Sequence, residues 1–149
     1  MAEEDVSVAV LDGCVDAIVA EPHVSDDVVS AVQYVTTLEN LLLTVPQVKC
    51  QVEHLFCAGM YARVTDIPAG TLVTGGTHRH ECFLIILDGL ISVTAEDGSE
   101  QIATIGDVLR TEAGQKRAGL AMRDSRVMTV HRNDADERDT DRLWDMVFF

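Results

Sequence analysis

The stretch Thr77-His78-Arg79-His80-Glu81-Cys82-Phe83-Leu84-Ile85-Ile86-Leu87-Asp88-Gly89 decides how the rest of the chain is read. It runs from two histidines into a short apolar, β-branched and aromatic segment and stops at an Asp-Gly turn, the pattern of a buried strand. Residues two apart on a strand share a face, so His78, His80, Cys82, Leu84 and Ile86 are expected to point one way. Arg79, Glu81, Phe83, Ile85 and Leu87 then point the other. Two imidazoles and a thiol on one wall are donors suited to zinc, iron, nickel or copper. Because both faces of the second half of the strand are apolar, it is expected to be covered on both sides.

Outward from this strand, residues 49–132 break into short β-type runs: KCQVEHLF, MYARVTDI, TLVT, HECFLIIL, LISVTA, EQIATI, DVLRTE, KRAGLAM and RVMTVH. Turns at Pro68-Ala69-Gly70, Gly75-Gly76, Asp88-Gly89, Asp97-Gly98, Gly106-Asp107 and Ala113-Gly114 divide most of them. About nine short strands in this length leave no room for parallel crossovers, so the sheets should be antiparallel. Before them lies a helical extension over 1–48. Its clearest element is a helix over about 26–44, where Ser25 can cap and Val28, Val32, Val35, Leu38, Leu42 and Val45 recur at helical spacing until Pro46. Residues 6–20 read as a weak helix. After the strands, residues 133–149 form an acidic linker and an apolar end with Leu143, Trp144, Met146, Val147, Phe148 and Phe149. That end is expected either to fold back as a short helix or packed tail, or to anchor in a partner.

The 149 residues suit one domain. A net charge of -14, from 25 acidic and 11 basic residues, repels phosphate backbones and anionic lipids, which argues against direct nucleic-acid or membrane binding. No stretch approaches the roughly 20 apolar residues of a membrane span, and MAEEDVSVAVLDG carries acids where a secretory signal is basic. A cytoplasmic location is therefore expected. Cys14, Cys50, Cys57 and Cys82 form no CxxC pair and read as reduced thiols.

The run from Arg63 to Asn133 resembles the cupin superfamily, in which a Gly-rich approach leads to a His-x-His strand, a Gly turn and a second motif opening with Gly-Asp. Here these are Gly70, Gly75 and Gly76, then His78 and His80, then Leu87-Asp88-Gly89, then Gly106-Asp107-Val108-Leu109. The resemblance implies an all-β fold, a single antiparallel cupin-type barrel or jelly roll over 49–132. A narrower resemblance, to small single-domain cupins of tailed bacteriophages and prophages, rests on Leu38-Glu39, Pro46-Gln47, His54, Gly59-Met60-Tyr61-Ala62-Arg63, Ile67-Pro68-Ala69-Gly70-Thr71, Gly114-Gln115-Lys116-Arg117 and Thr129-Val130-His131. It implies a phage origin.

The departures bear on the site. Where metal-binding cupins usually carry a glutamate this chain has Cys82, and the second-motif histidine falls on Arg117, whose charged fork suits a carboxylate or phosphate rather than a cation. His54 and His131 are the remaining candidates to complete a metal set with His78, His80 and Cys82, for an ion such as zinc, iron, nickel or manganese. Glu81 has suitable chemistry but the wrong parity. Two kinds of role stay open. One is a non-catalytic structural or accessory phage protein, in the virion or the host cytoplasm. The other is a metal-dependent oxygenase, isomerase or sugar-modifying enzyme, or a small-ligand sensor. A homo-oligomer, most simply a dimer, is expected from the apolar surface of the 26–44 helix, the outer face of 82–87 and the tail, with phage structural proteins as further partners.

Overall fold

The computed structural model describes residues 8–10, 31–95 and 99–149. Within them the chain runs β1 (Val8–Val10), α1 (Ala31–Leu42), β2 (Gln51–Cys57), β3 (Met60–Ile67), β4 (Thr71–Thr74), β5 (Cys82–Asp88), β6 (Leu90–Thr94), β7 (Glu100–Thr104), β8 (Val108–Thr111), β9 (Ala118–Ala121), β10 (Ser125–Arg132) and α2 (Thr140–Val147). Each β-run of the 49–132 segment forms a strand, and every strand pairing is antiparallel. Two five-stranded sheets result, ordered β1-β4-β9-β6-β7 and β2-β3-β10-β5-β8. Their inner faces meet over an apolar core of Ile67, Ile86, Ile91, Val93, Ala103, Ala121 and Val127.

Gly89 closes the β5–β6 turn at φ +95°, and a Cβ there would sit 2.3 Å from Ser125 Oγ and 2.5 Å from Asp124 O, so only glycine fits. Helix α1 lies on the outside of the first sheet. Val35, Leu38 and Leu42 are buried with Ala118 and pack on Leu72 and Val45, each burial contributing about 1.5–3 kcal/mol. Gln47 Nε2 donates to the carbonyls of Leu42 and Val45 at 2.7 and 2.8 Å, which ends the helix before Pro46 with its last carbonyls satisfied. The lysine at 116 pairs with Glu39 and ties α1 to the loop before β9.

One expectation needs correction. The weak helix over 6–20 is, at Val8–Val10, a strand that extends the first sheet by pairing with β4, Val8 opposite Val73. A Val-Ala-Val triplet fits an edge strand as well as a helix, and only the partner strand decides between them. The rest of that segment, and residues 26–30 of the expected helix, lie outside the described residues. The apolar end folds back as a short helix, one of the two expectations for it. Asp139 caps α2 by accepting from the N–H groups of Asp141 and Arg142 at 3.0 and 3.2 Å, and Leu143, Val147 and Phe148 are buried against the chain's own barrel. None of the described helices is long and apolar enough to cross a membrane.

Candidate metal centre

His131 stands near the end of β10, opposite Tyr61 of β3. Cys82 opens β5, opposite Thr111 of β8. His78 precedes β5 in an isolated antiparallel bridge to Phe148. Its N–H donates to Gln115 O at 3.0 Å, and its carbonyl accepts from Gly114 N at 2.7 Å. Donor atoms of His78, Cys82 and His131 lie within 4.8 Å of one another, and all three side chains are buried. Among the described residues no other trio of His, Cys, Asp or Glu comes together in this way.

His80 is not part of the trio, although regular alternation places it between His78 and Cys82. Residues 79–81 form a bend and β5 begins only at Cys82, so His80 is exposed. The chain is held on either side of that bend, by the 114–115 loop at His78 and by Thr111 at Cys82. Glu81 is likewise exposed, and it pairs with Arg110 Nε at 3.0 Å.

Nor does His54 join the donors. It sits on β2, the edge strand, where its Nδ1 is hydrogen-bonded to the Tyr61 hydroxyl at 2.7 Å. Its ring stacks on Tyr61 at 5.8 Å, and Tyr61 stacks on His131 at the same distance. His54 is thus linked to the cluster through Tyr61. At the position of the second-motif histidine, Arg117 lines the cavity beside the cluster and is hydrogen-bonded to its own chain. Arg117 donates from Nε to Thr111 Oγ1 at 2.9 Å and from its two terminal nitrogens to the carbonyls of Thr94 and Arg110. Those three acceptors take three of the five N–H donors of the guanidinium.

Several residues of the site carry no local sequence signal. Phe148 lies against His78 at 5.0 Å and His131 at 6.0 Å between ring centroids, and Trp144 packs on Phe148 at 4.4 Å. The segment is tied on by Phe149 N to Thr77 O at 2.9 Å, Arg79 N to Val147 O at 2.8 Å and Arg79 Nε to Phe148 O at 2.5 Å. Gly76 makes room for it, since a Cβ there would meet the Phe148 ring at 2.7 Å. Thr129 Oγ1 lies 2.9 Å from His131 Nε2 and orients the ring. Arg63 is buried with its guanidinium 5.5 Å from the Trp144 ring centroid. The parity of β3 could have found Arg63, because it shares an inward face with Tyr61, Thr65 and Ile67. Below Phe148 a cavity of about 140 Å3 reaches from the cluster to Ile67, Ile91 and Val93.

Burial sets the charge state of the cluster. It pushes His78 down to about 4, helped by the charge of Arg117. His131 falls to about 3, by burial first and then by the neighbouring His78 and Arg63. Cys82 rises to about 11 because burial outweighs the Thr111 hydrogen bond and Arg117, which both favour the thiolate. At neutral pH the site therefore presents two neutral imidazoles, the form that ligates, and a thiol that a cation would have to deprotonate. The spacing also fits an ion. Zinc–nitrogen and zinc–sulfur bonds at tetrahedral angles put the two donors about 3.5 Å apart, and Cys82 Sγ is 3.5 Å from His78 Nδ1.

Neither a protein-family model nor a curated protein sequence matches the chain. Solved structures do match. KdgF from Halomonas sp. superposes with a TM-score of 0.53 at 18% identity, over 64% of this chain and 87% of that one. Ectoine synthase from P. lautus gives 0.51 at 17% identity, over 59% and 67%. The Cupin_2 domain of an XRE family transcriptional regulator from Enterobacter cloacae gives 0.50 at 13% identity, over 56% and 96%. The fold is that of the cupins. At these identities the likeness extends to the fold alone, so the chemistry rests on this chain's own residues. In this chain, His131 on the last strand and Cys82 on β5 stand with His78, where the sequence motif offers only His78 and His80.

Proposed function

We propose that this protein is a metal-binding cupin that holds one divalent transition ion on His78, Cys82 and His131 and serves a non-catalytic, structural or accessory role in a tailed-phage context. The observation that carries the metal is the buried trio with donors within 4.8 Å. A thiolate beside two imidazoles suits zinc, iron or nickel better than manganese, which prefers oxygen donors. The non-catalytic role is supported by Phe148, which lies against His78 and His131 with Trp144 packed on it and so covers one side of the trio. The phage context is supported by the sequence resemblance over residues 38–132, with the host cytoplasm and the virion as its places. Elemental analysis of protein purified without added metal should find about one equivalent per chain. His78→Ala or His131→Ala should lose it and His80→Ala should keep it. Equal metal content in all three variants would refute the site. Mass spectrometry of purified particles tests the phage role, and absence from virions together with turnover of a small molecule would remove it.

A second reading, a metal-dependent enzyme or small-ligand sensor, is favoured by one observation. Three protein donors leave a fourth position for water or substrate, and the 140 Å3 cavity adjoins them. That volume is close to one that admits a benzene-sized molecule.

A further inference from the structure

We propose that the cavity below Phe148 binds a small monocarboxylate with a short apolar body, its carboxylate held by Arg63, Thr74 and Arg117. This ligand class deepens the small-ligand reading given above, on which it rests, and it needs no ion on the trio.

Charge selects an anion. In a chain with a net charge of -14, the cavity lining carries two guanidiniums, those of Arg63 and Arg117, and among the described residues no Asp or Glu. They come from opposite walls. Arg63 belongs to β3 of one sheet, whereas Arg117 immediately precedes β9 of the other. Two cations that line one low-dielectric space repel each other, and an anion between them offsets that repulsion. Where the family pattern has a metal-binding histidine, Arg117 therefore exchanges a ligand for cations for one suited to a carboxylate.

Thr74 marks the place of the carboxylate. It lines the same cavity and is 3% exposed, and its hydroxyl has no hydrogen-bond partner among the described residues. A buried hydroxyl left so is destabilising until something accepts its proton. It also stands beside Arg117. Thr74 lies opposite Ala118 across the β4–β9 pair, and Gly75 N donates to Arg117 O at 3.0 Å. A hydroxyl next to a guanidinium supplies a neutral and a charged donor to the two oxygens of one carboxylate.

Size and polarity restrict the remainder of the ligand. The cavity of about 140 Å3 is close to one that holds benzene, which limits a guest to about six non-hydrogen atoms. Ile67, Ile91, Val93 and Val127 form the apolar part of the lining, where the hydroxyls of a sugar or the outer oxygens of a phosphate would lose their hydrogen bonds. A branched body of a few carbons loses nothing there.

Isobutyrate is the probe and isobutyramide, its neutral isostere, the control. Ligand-observed NMR titration of the full chain as purified should show isobutyrate binding at least about ten-fold more tightly than isobutyramide, with inorganic phosphate weaker than isobutyrate. Arg63→Gln and Arg117→Gln should each remove the preference for the anion. Thr74→Val should weaken isobutyrate several-fold while keeping or raising Tm, because it deletes a hydroxyl that the ligand-free chain leaves unpaired. If either arginine variant fails to fold, Thr74→Val still decides. Equal or tighter binding of isobutyramide, or of phosphate, would overturn the monocarboxylate and leave the small-ligand reading standing. No binding of any of the three would overturn both. Loss of isobutyrate binding on chelator treatment would place the carboxylate on an ion, and unchanged affinity in Thr74→Val would take it away from β4; either result refutes the assignment.

Discussion

Lowering the pH from 8 to 5 should cost the metal-free protein about 4 kcal/mol of folding stability, and two residues should account for it. His78 and His131 have native values near 4 and 3, against 6.5 in the unfolded chain. The native state thus resists a proton that the unfolded chain accepts. The contribution of each residue is complete above 6.5 and is lost as the pH falls through 6.5 towards 4 and 3. At pH 5 an unfolded imidazole is almost fully protonated and a native one is not, so each group costs RT ln(1 + 10^1.5), about 2 kcal/mol. Set against a typical total of about 5–15 kcal/mol, a loss of that size is plain in a denaturation curve. Urea unfolding in the presence of a chelator at pH 8, 7, 6 and 5 measures it. His78→Asn and His131→Asn should each remove about 2 kcal/mol of the pH dependence, whatever they do to stability at pH 8. Carboxylates such as Glu137, held below the usual range by the N–H groups of Asp139 and Arg138, act at lower pH and leave the interval from 8 to 5 to the imidazoles. If the double variant loses as much stability as wild type over that interval, the rings are not buried neutral and the electrostatic account of the site fails.

Three further outcomes can be checked directly. In metal-free protein at neutral pH a thiol reagent should modify exposed Cys57 quickly and buried Cys82 slowly, and a pulse of reagent followed by peptide mapping separates them. Phe148→Ala should destabilise by about 3–5 kcal/mol, as expected for emptying a buried aromatic site, and should speed Cys82 labelling. Gly76→Ala, whose new Cβ would meet the Phe148 ring at 2.7 Å, should cost about 1–3 kcal/mol by overpacking. Its effect should shrink in a Phe148→Ala background, and thermal melts of the four proteins form the double-mutant cycle.

The barrel was legible because its signals are local. Asp88-Gly89 and Gly106-Asp107 mark turns, and the intervening residues alternate or run apolar over strand lengths, so each of the nine runs found its strand. The helix was legible for the same reason over Val35, Leu38 and Leu42, whose spacing makes one stripe. Val8–Val10 was not, because three residues carry too little period to choose a state without β4 beside them.

The site was half legible, and the division follows the range of the interactions that build it. His78 and Cys82 belong to one stretch of sequence, and their common face holds, though it is kept by a bend and not by alternation. That bend exists because Gly114, Gln115 and Val147 hold the chain around His78 while Thr111 holds Cys82. Those partners lie some 30 to 70 positions along the chain, so no local pattern could have told His80 to turn outward. His131 entered as one of two histidines with no way to rank them; it is preferred over His54 because β10 is a central strand of its sheet and β2 an edge. Arg117 shows the converse case. Its chemistry suits an anion, yet three acceptors from Thr94, Arg110 and Thr111 take three of its five N–H donors, so this half-buried guanidinium also braces its own chain. Composition therefore proposes what a side chain can do, and the donors and acceptors brought up by distant strands decide whether it is free to do it.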